Sequence, residues 1–257
     1  NLSGWAYNAG DTAFQKDRNT DFYGCDECAA QAADFNGDGR IDYFASASYN
    51  SVFLRDTLGQ PQNTFNHFEP GYVIMGDAAD LNGDNIKDFV LAVNSQGTSI
   101  NASAAPPRFF LSDGQGNFNL NIDPDVAISQ NEIHFFDGDG DGDQDLIVGA
   151  ANLPWYKNDG SGDFTFQANL DIGFNIGQVE SADLDGDGDI DLVICGSKMS
   201  GPSWNSGPYC KVLLNNGSGS FAAKSNPNLP GYWNSNSKRF ILMDHNSDDY
   251  GDLLVPS

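Results

Sequence analysis

Carboxylate and amide oxygens recur in this sequence at a spacing that suits a hard cation. Five nine-residue segments carry Asp or Asn at positions 1, 3 and 5 and Asp at position 9. The first two hold Asp34, Asn36, Asp38 and Asp42, then Asp80, Asn82, Asp84 and Asp88. The next two hold Asp137, Asp139, Asp141 and Asp145, then Asp183, Asp185, Asp187 and Asp191, and the fifth holds Asp244, Asn246, Asp248 and Asp252. Oxygen side chains at alternate positions of a tight, Gly-rich turn converge on an ion of calcium's size, and the position-7 residue (Arg40, Ile86, Asp143, Asp189 or Tyr250) adds a main-chain carbonyl. Up to five Ca²⁺ are therefore expected. Mg²⁺ fits less well, because it keeps waters and a strict octahedron. One such segment reads as a solvated acidic turn; five in register do not.

The elements that position these loops follow from what flanks them. An EF-hand needs a Glu at loop position 12 and a helix on either side. Position 12 here is Ala45, Leu91, Val148, Ile194 or Val255, within short apolar runs that read as buried strands. A second repeat pairs a Gly-containing turn with a Phe four residues on: Gly10 and Phe14, Gly114 and Phe118, Gly160 and Phe164, Gly217 and Phe221. A longer version runs from Val52 to Phe65. Asn, Asp and Gly at the turns mark these as hairpins. Each repeat is then strand, acidic loop, strand, connection, strand, hairpin turn, strand, which is one four-stranded sheet.

Together these motifs resemble the FG-GAP (VCBS) repeats of calcium-binding β-propellers, a family that includes integrin α-subunit heads, fungal lectins and secreted bacterial proteins. The resemblance covers essentially the whole chain. It implies an all-β β-propeller of four-stranded blades, a single domain over 1–257; family members commonly have seven blades, and the repeat count here makes it a five-bladed β-propeller. Loop starts at 34, 80, 137, 183 and 244 are 46, 57, 46 and 61 residues apart, and the count from 244 through the C-terminus and on to 34 is 47. The chain thus closes with its own period. A hairpin at residues 5–14 opens it and an inner pair around 240–255 ends it, so the two termini share one blade and latch the ring, hiding open sheet edges.

The 257 residues can bury a full core, and their net charge of −24 argues against nucleic acid or anionic lipid as partners. No apolar run is long enough to span a membrane, so no membrane insertion is expected. A secretory signal is lacking, as expected of a mature or trimmed product. Seventeen Asp side chains occupy positions 1, 3, 5 and 9, and five Ca²⁺ would bring the net charge to −14. Calcium and stability should therefore be strongly coupled. The third and fourth loops, with four Asp ligands each, should bind best. The fifth, with Ser247 and Asp249 at positions 4 and 6, should bind least well.

Four cysteines form two local pairs. Cys195 ends one apolar strand and Cys210 begins the next, so a bridge suits antiparallel neighbours. For Cys25 and Cys28 a thioredoxin-like reading lacks its βαβ setting and a zinc reading lacks further ligands, so a structural bridge is favoured. Bridges imply an oxidising compartment, and the chain is expected to be extracellular, secreted or on the cell surface. Asn1, Asn101 and Asn216 begin N-glycosylation patterns.

Calcium explains how the protein stands and leaves its partner open. In a propeller the acidic loops and hairpin turns share one face, and the long connections at 94–108 and 196–209 belong to the other, where binding usually resides. Aromatics gather there, among them Tyr23, Tyr72, Phe174, Tyr232 and Trp233, with Trp204 beside Asn205. Trp204, Asn205, Tyr232, Trp233, Tyr72 and Tyr23 are the candidate contacts for sugar rings, which present C–H faces and hydroxyls together. The plainer role, plugging gaps between blades, is favoured for Tyr72 and Phe174. Trp5 and Trp155 align with hairpin residues and are expected to be structural. Carbohydrate binding, to glycans or glycoproteins, is the favoured function. A protein-binding adhesion module of integrin type is the alternative.

Catalysis ranks last. Three residues before each loop stand Gln31, Asp77, His134, Glu180 and Ile241, on strands expected to line the axis. Asp77, His134 and Glu180 could serve a glycoside hydrolase or polysaccharide lyase. A hydrogen-bonded polar ring would look the same. No nucleophile elbow, zinc pattern or phosphate loop points to other chemistry.

Overall fold

The computed structural model describes residues 6–8, 14–16, 30–46, 50–55, 61–67, 72–94, 107–121, 126, 133–149, 152–197, 208–224, 240–243, 245 and 252–254. All twenty elements among them are β-strands. Strands β1 (Ala6–Asn8) and β2 (Phe14–Lys16) pair as a hairpin. Next come β3 (Ala30–Ala33), β4 (Asp42–Ser46), β5 (Asn50–Arg55) and β6 (Pro61–His67). They are followed by β7 (Tyr72–Ala79), β8 (Asp88–Asn94), β9 (Arg108–Ser112) and β10 (Phe118–Asn121). The third group is β11 (Ile133–Phe136), β12 (Asp145–Val148), β13 (Pro154–Asn158) and β14 (Phe164–Asn169). The fourth is β15 (Asn175–Ala182), β16 (Asp191–Ser197), β17 (Pro208–Leu214) and β18 (Ala222–Ala223). Strands β19 (Ile241–Met243) and β20 (Asp252–Leu254) close the series.

Each group of four forms one meandering sheet with its strands in sequence order, and β1–β2 and β19–β20 form two-stranded sheets. The repeat read from the sequence is therefore present in the four-stranded sheets, where the acidic loop joins the first and second strands and the hairpin turn joins the third and fourth. Val52 pairs with Phe65, as the longer hairpin required. Cys195 faces Cys210 across β16 and β17, and the two are disulfide-bonded with Cα atoms 4.1 Å apart.

Burial peaks in the second strand of the third and fourth sheets. In the third sheet all four residues of β12 are buried, while β14 is mostly exposed. Strand β12 is thus covered on both faces, which is why it lacks the alternation of a half-buried strand.

The chain divides into two compact units, Asn1–Ala78 with Asp84–Ile122, and Ala79–Gly83 with Asp123–Ser257. The first is centred on aromatic rings: Phe89 stacks on Phe110 at 4.7 Å, and Phe35 meets Phe89 edge-on at 6.0 Å, with Leu54 and Leu91 around them. In the second, Phe136, Ile147, Trp155, Phe174, Val179, Leu192 and Ile194 share one cluster. Trp155 and Phe174 are thus core residues, and Val126 is fully buried. A smaller cluster joins Val193, Cys195, Val212 and Phe240.

Candidate metal centre

The acidic loops owe their shape to a fixed set of main-chain bonds. In the third and fourth loops the position-1 carboxylate accepts N–H groups from positions 4 and 6. Asp137 takes Gly140 and Gly142 at 2.8 and 3.0 Å, and Asp183 takes Gly186 and Gly188 at 2.7 and 3.0 Å. The position-5 carboxylate accepts the N–H of position 7, at 2.8 Å in the first two loops and 3.0 Å in the next two. Positions 4 and 6 both take positive φ, which explains their glycines. Asn85, at position 6 of the second loop with φ 65°, is the tolerated exception.

Position 9 has a second role. Asp42, Asp88, Asp145 and Asp191 are fully buried. Asp145 accepts the N–H of Gly138 at 2.9 Å on one oxygen and that of Asn158 at 2.8 Å on the other. Asp191 does the same with Leu184 and Asn215, at 2.9 and 2.8 Å. Asp88, which accepts the N–H of Ser112 at 2.7 Å, Asp145 and Asp191 thus hold the end of the third strand of their own sheets. Position 7 is also tied to the hairpin: its side chain lies against the turn glycine, Ile86 on Gly114, Asp143 on Gly160 and Asp189 on Gly217. At each, a Cβ would come within 2.6 Å of that side chain.

Carboxylate oxygens converge in two loops. One oxygen each from Asp137, Asp139 and Asp145 lie within 4.8 Å of one another, and so do those of Asp183, Asp185 and Asp187. The crowding is electrostatically costly. Burial, with Asp139 and Asp141 adding repulsion, pushes the Asp145 carboxyl up to about 6. Desolvation and neighbouring Asp charges also raise Asp143, Asp189 and Asp191. One cation of the chain's own stands here. Lys157 Nζ contacts Asp139 and lies 2.8 Å from Asp141, lowering the Asp141 carboxyl and raising its own ammonium well above the usual range.

A divalent cation fits this donor set. Asp139 Oδ1 is buried and accepts no hydrogen bond, an orphaned anionic oxygen beside the converging carboxylates. All-oxygen donors on a flexible turn suit Ca²⁺ over softer metals. Bound there, a divalent cation would supply charge neutralisation and a crosslink between loop positions.

The sequence reading did not find the bonds that tie each sheet to the preceding loop. Ser112 Oγ donates to Phe35 O at 2.6 Å, Asn158 Nδ2 to Leu81 O at 2.9 Å and Asn215 Nδ2 to Gly138 O at 2.8 Å. Every acceptor is loop position 2, and every donor sits 77 residues later, just before a hairpin turn. The available signal was Ser112, Asn158 and Asn215, each followed by Asp or Asn and then Gly.

Of the residues expected near the axis, His134 Nε2 lies 2.8 Å from Ser181 Oγ, and burial pushes its imidazole down to about 4. Gln178 donates to Glu180 at 2.6 Å and to Phe240 O at 2.7 Å. Ile241 is exposed, and Asp77 is half-buried. Tyr72 opens β7. Tyr23, Cys25, Cys28, Trp204, Asn205, Tyr232, Trp233, Asp244, Asn246, Asp248 and Tyr250 lie outside the described residues, whereas Asp252 accepts the N–H of His245 at 3.0 Å.

Residues 137–194 match the model of the FG-GAP-like repeat. That segment, which holds the third and fourth acidic loops, thus carries an FG-GAP-like repeat, as its loops and hairpin led one to expect. No curated protein matches it. Among solved structures it is similar to the V. cholerae biofilm matrix protein Bap1, with 18% identity and a TM-score of 0.38 over 80% of this chain and 40% of that one. The chain spans less than half the length of that protein. The disulfide fits an oxidising compartment, and no helix among the described residues is long and apolar enough to cross a membrane.

Proposed function

We propose that this chain is a calcium-stabilised extracellular recognition module whose ligand is a glycan. The observation that carries the calcium part is the convergence of Asp183, Asp185 and Asp187 and of Asp137, Asp139 and Asp145, with an orphaned buried oxygen at Asp139. Ca²⁺ would be held by the side chains of positions 1, 3, 5 and 9 and the carbonyl of position 7 in up to five loops. The four complete sheets, with a fifth made jointly by β1–β2 and β19–β20, are read as one closed five-bladed propeller over residues 1–257. Its support is that, among the described residues, β1–β2 and β19–β20 each form a two-stranded sheet, so that together they supply the four strands of one blade.

The ligand reading rests on the opposite ends of the sheets. There β8 and β16 run into the long connections at 95–107 and 198–207, the latter necked by the Cys195–Cys210 bridge. Trp204, Asn205, Tyr232, Trp233, Tyr72 and Tyr23 are the assigned contacts, by likeness to the fungal lectins. A rigid scaffold with variable loops equally serves a protein-binding adhesion module, the second reading. A glycan array probed with and without calcium tests the choice. Binding that Trp204→Ala and Trp233→Ala abolish, with calcium-dependent melting intact, supports the glycan. Absence of any glycan hit overturns it in favour of a protein ligand.

A further inference from the structure

The third and fourth loops have the same ligand types at positions 1, 3, 5, 7 and 9, yet their carboxylates converge differently. In the fourth loop the converging set is Asp183, Asp185 and Asp187, positions 1, 3 and 5. In the third it is Asp137, Asp139 and Asp145, positions 1, 3 and 9, and Asp141 at position 5 is missing from it. Asp141 is instead ion-paired with Lys157, whose ammonium also contacts Asp139. Lys157 projects from β13 one residue before Asn158. The residues one before Ser112 and Asn215, in matching places on their sheets, are Leu111 and Leu214. The lysine is thus a property of the third sheet among these three.

We propose that Lys157 is a built-in cation that competes with the divalent ion at the third loop, so that two loops of equal ligand composition bind calcium with unequal affinity. The inference rests on the calcium reading of the loops. Its physical basis is direct. A unit positive charge within hydrogen-bonding distance of two ligand carboxylates satisfies part of what the ion would satisfy, and repels the ion if it stays. Asp139 is only 15% exposed, so water screens this pair less than an ordinary surface ion pair. The same contact lets the third loop keep its shape without metal, because Lys157 offsets the repulsion between Asp139 and Asp141. The fourth loop, with Leu214 in the matching place, has no such substitute among the described residues.

Equilibrium dialysis with Ca²⁺ on the whole chain provides the test, with Asp139→Asn and Asp185→Asn assigning the third and fourth loops. In the wild type, Asp185→Asn should remove a tighter class of site than Asp139→Asn removes. Lys157→Leu and Lys157→Gln should tighten the third loop by about tenfold or more, the scale expected for a unit charge a few ångström from the ion. Lys157→Arg, which keeps the charge, should stay within about threefold of wild type. The leucine variant should also melt lower than wild type in EDTA and gain more on adding calcium, a reversal that lost packing alone would not produce. Two folded, charge-removing variants with unchanged or weaker calcium binding would overturn the proposal, as would a third loop tighter than the fourth. Calcium bound in every variant but insensitive to Lys157 sinks this inference alone, whereas no calcium bound by any of them sinks the reading on which it stands.

Discussion

Replacing Asn158 by Ala tests how the third sheet is fastened to the loop segment at 79–83, and the structure sets the size of the effect. Asn158 is fully buried. Its Nδ2 donates to Leu81 O at 2.9 Å and to Gln144 O at 3.2 Å, and its Oδ1 accepts from Gly160 and Gly162, both at 3.1 Å. Alanine removes all four bonds and leaves the main-chain bond to Asp145 in place. At about 1 kcal/mol net for each bond, with some recovery by water, the loss should be about 3 kcal/mol. For a chain of this size that is a fall in thermal midpoint on the order of 10 °C. Asn158→Asp should cost at least as much, since it turns an acceptor toward two carbonyl oxygens. Asn158→Ser should recover part of the loss, because Ser112 makes the same bond in the second sheet with a hydroxyl. Asn119→Ala, on the exposed face of β10, is the control and should stay within about 0.5 kcal/mol of wild type. Urea unfolding at fixed calcium reads all four. If Asn158→Ala falls within about 1 kcal/mol of the Asn119 control, the bond to Leu81 does not fasten the sheet and the reasoning fails.

Two further outcomes follow from individual groups. The folded-state pKa of His134, about 4, lies below its unfolded value of 6.5, so its neutral form favours the fold fully above pH 6.5 and that stability is lost as pH falls toward 4. The loss is about 3 kcal/mol. Subtracting the curve of His134→Gln from that of wild type, in urea titrations from pH 7 to 4, should isolate this fall, and parallel curves would refute it. The Cys195–Cys210 bridge closes a separation of 15 residues, so Cys195→Ala with Cys210→Ala should cost about 3 kcal/mol in the same assay. A loss under 1 kcal/mol would show that the strands hold the neck unaided.

Much of this architecture was legible because its signals are local. The Asp, Asn and Gly pattern of each loop, the apolar run after position 9 and the Gly-to-Phe hairpin spacing all act within about a dozen residues, and the sheets formed where they indicated. The Cys195–Cys210 pair was legible for the same reason, being directly opposite across neighbouring strands. What stayed hidden acts at a distance. The bonds from Ser112, Asn158 and Asn215 span 77 residues, and nothing in a hairpin's own sequence tells which carbonyl it will meet. Position 9 reads as a cation ligand in the sequence, and its bonds to main-chain N–H groups appear only once the third strand is in place. Lys157 reads as an ordinary strand residue until β13 brings it against the third loop.

Calcium content and melting on one sample test the central claim most directly. The chain would be stripped with chelator, dialysed against Ca²⁺, and read by elemental analysis and by its thermal midpoint. At least two Ca²⁺ should rebind per chain, one for each converging carboxylate set. At calcium a hundredfold above the dissociation constant each contributes about 2.7 kcal/mol, so the midpoint should rise by roughly 10–20 °C. A stripped protein that takes up no calcium and melts at the same temperature as the reloaded one would contradict the account.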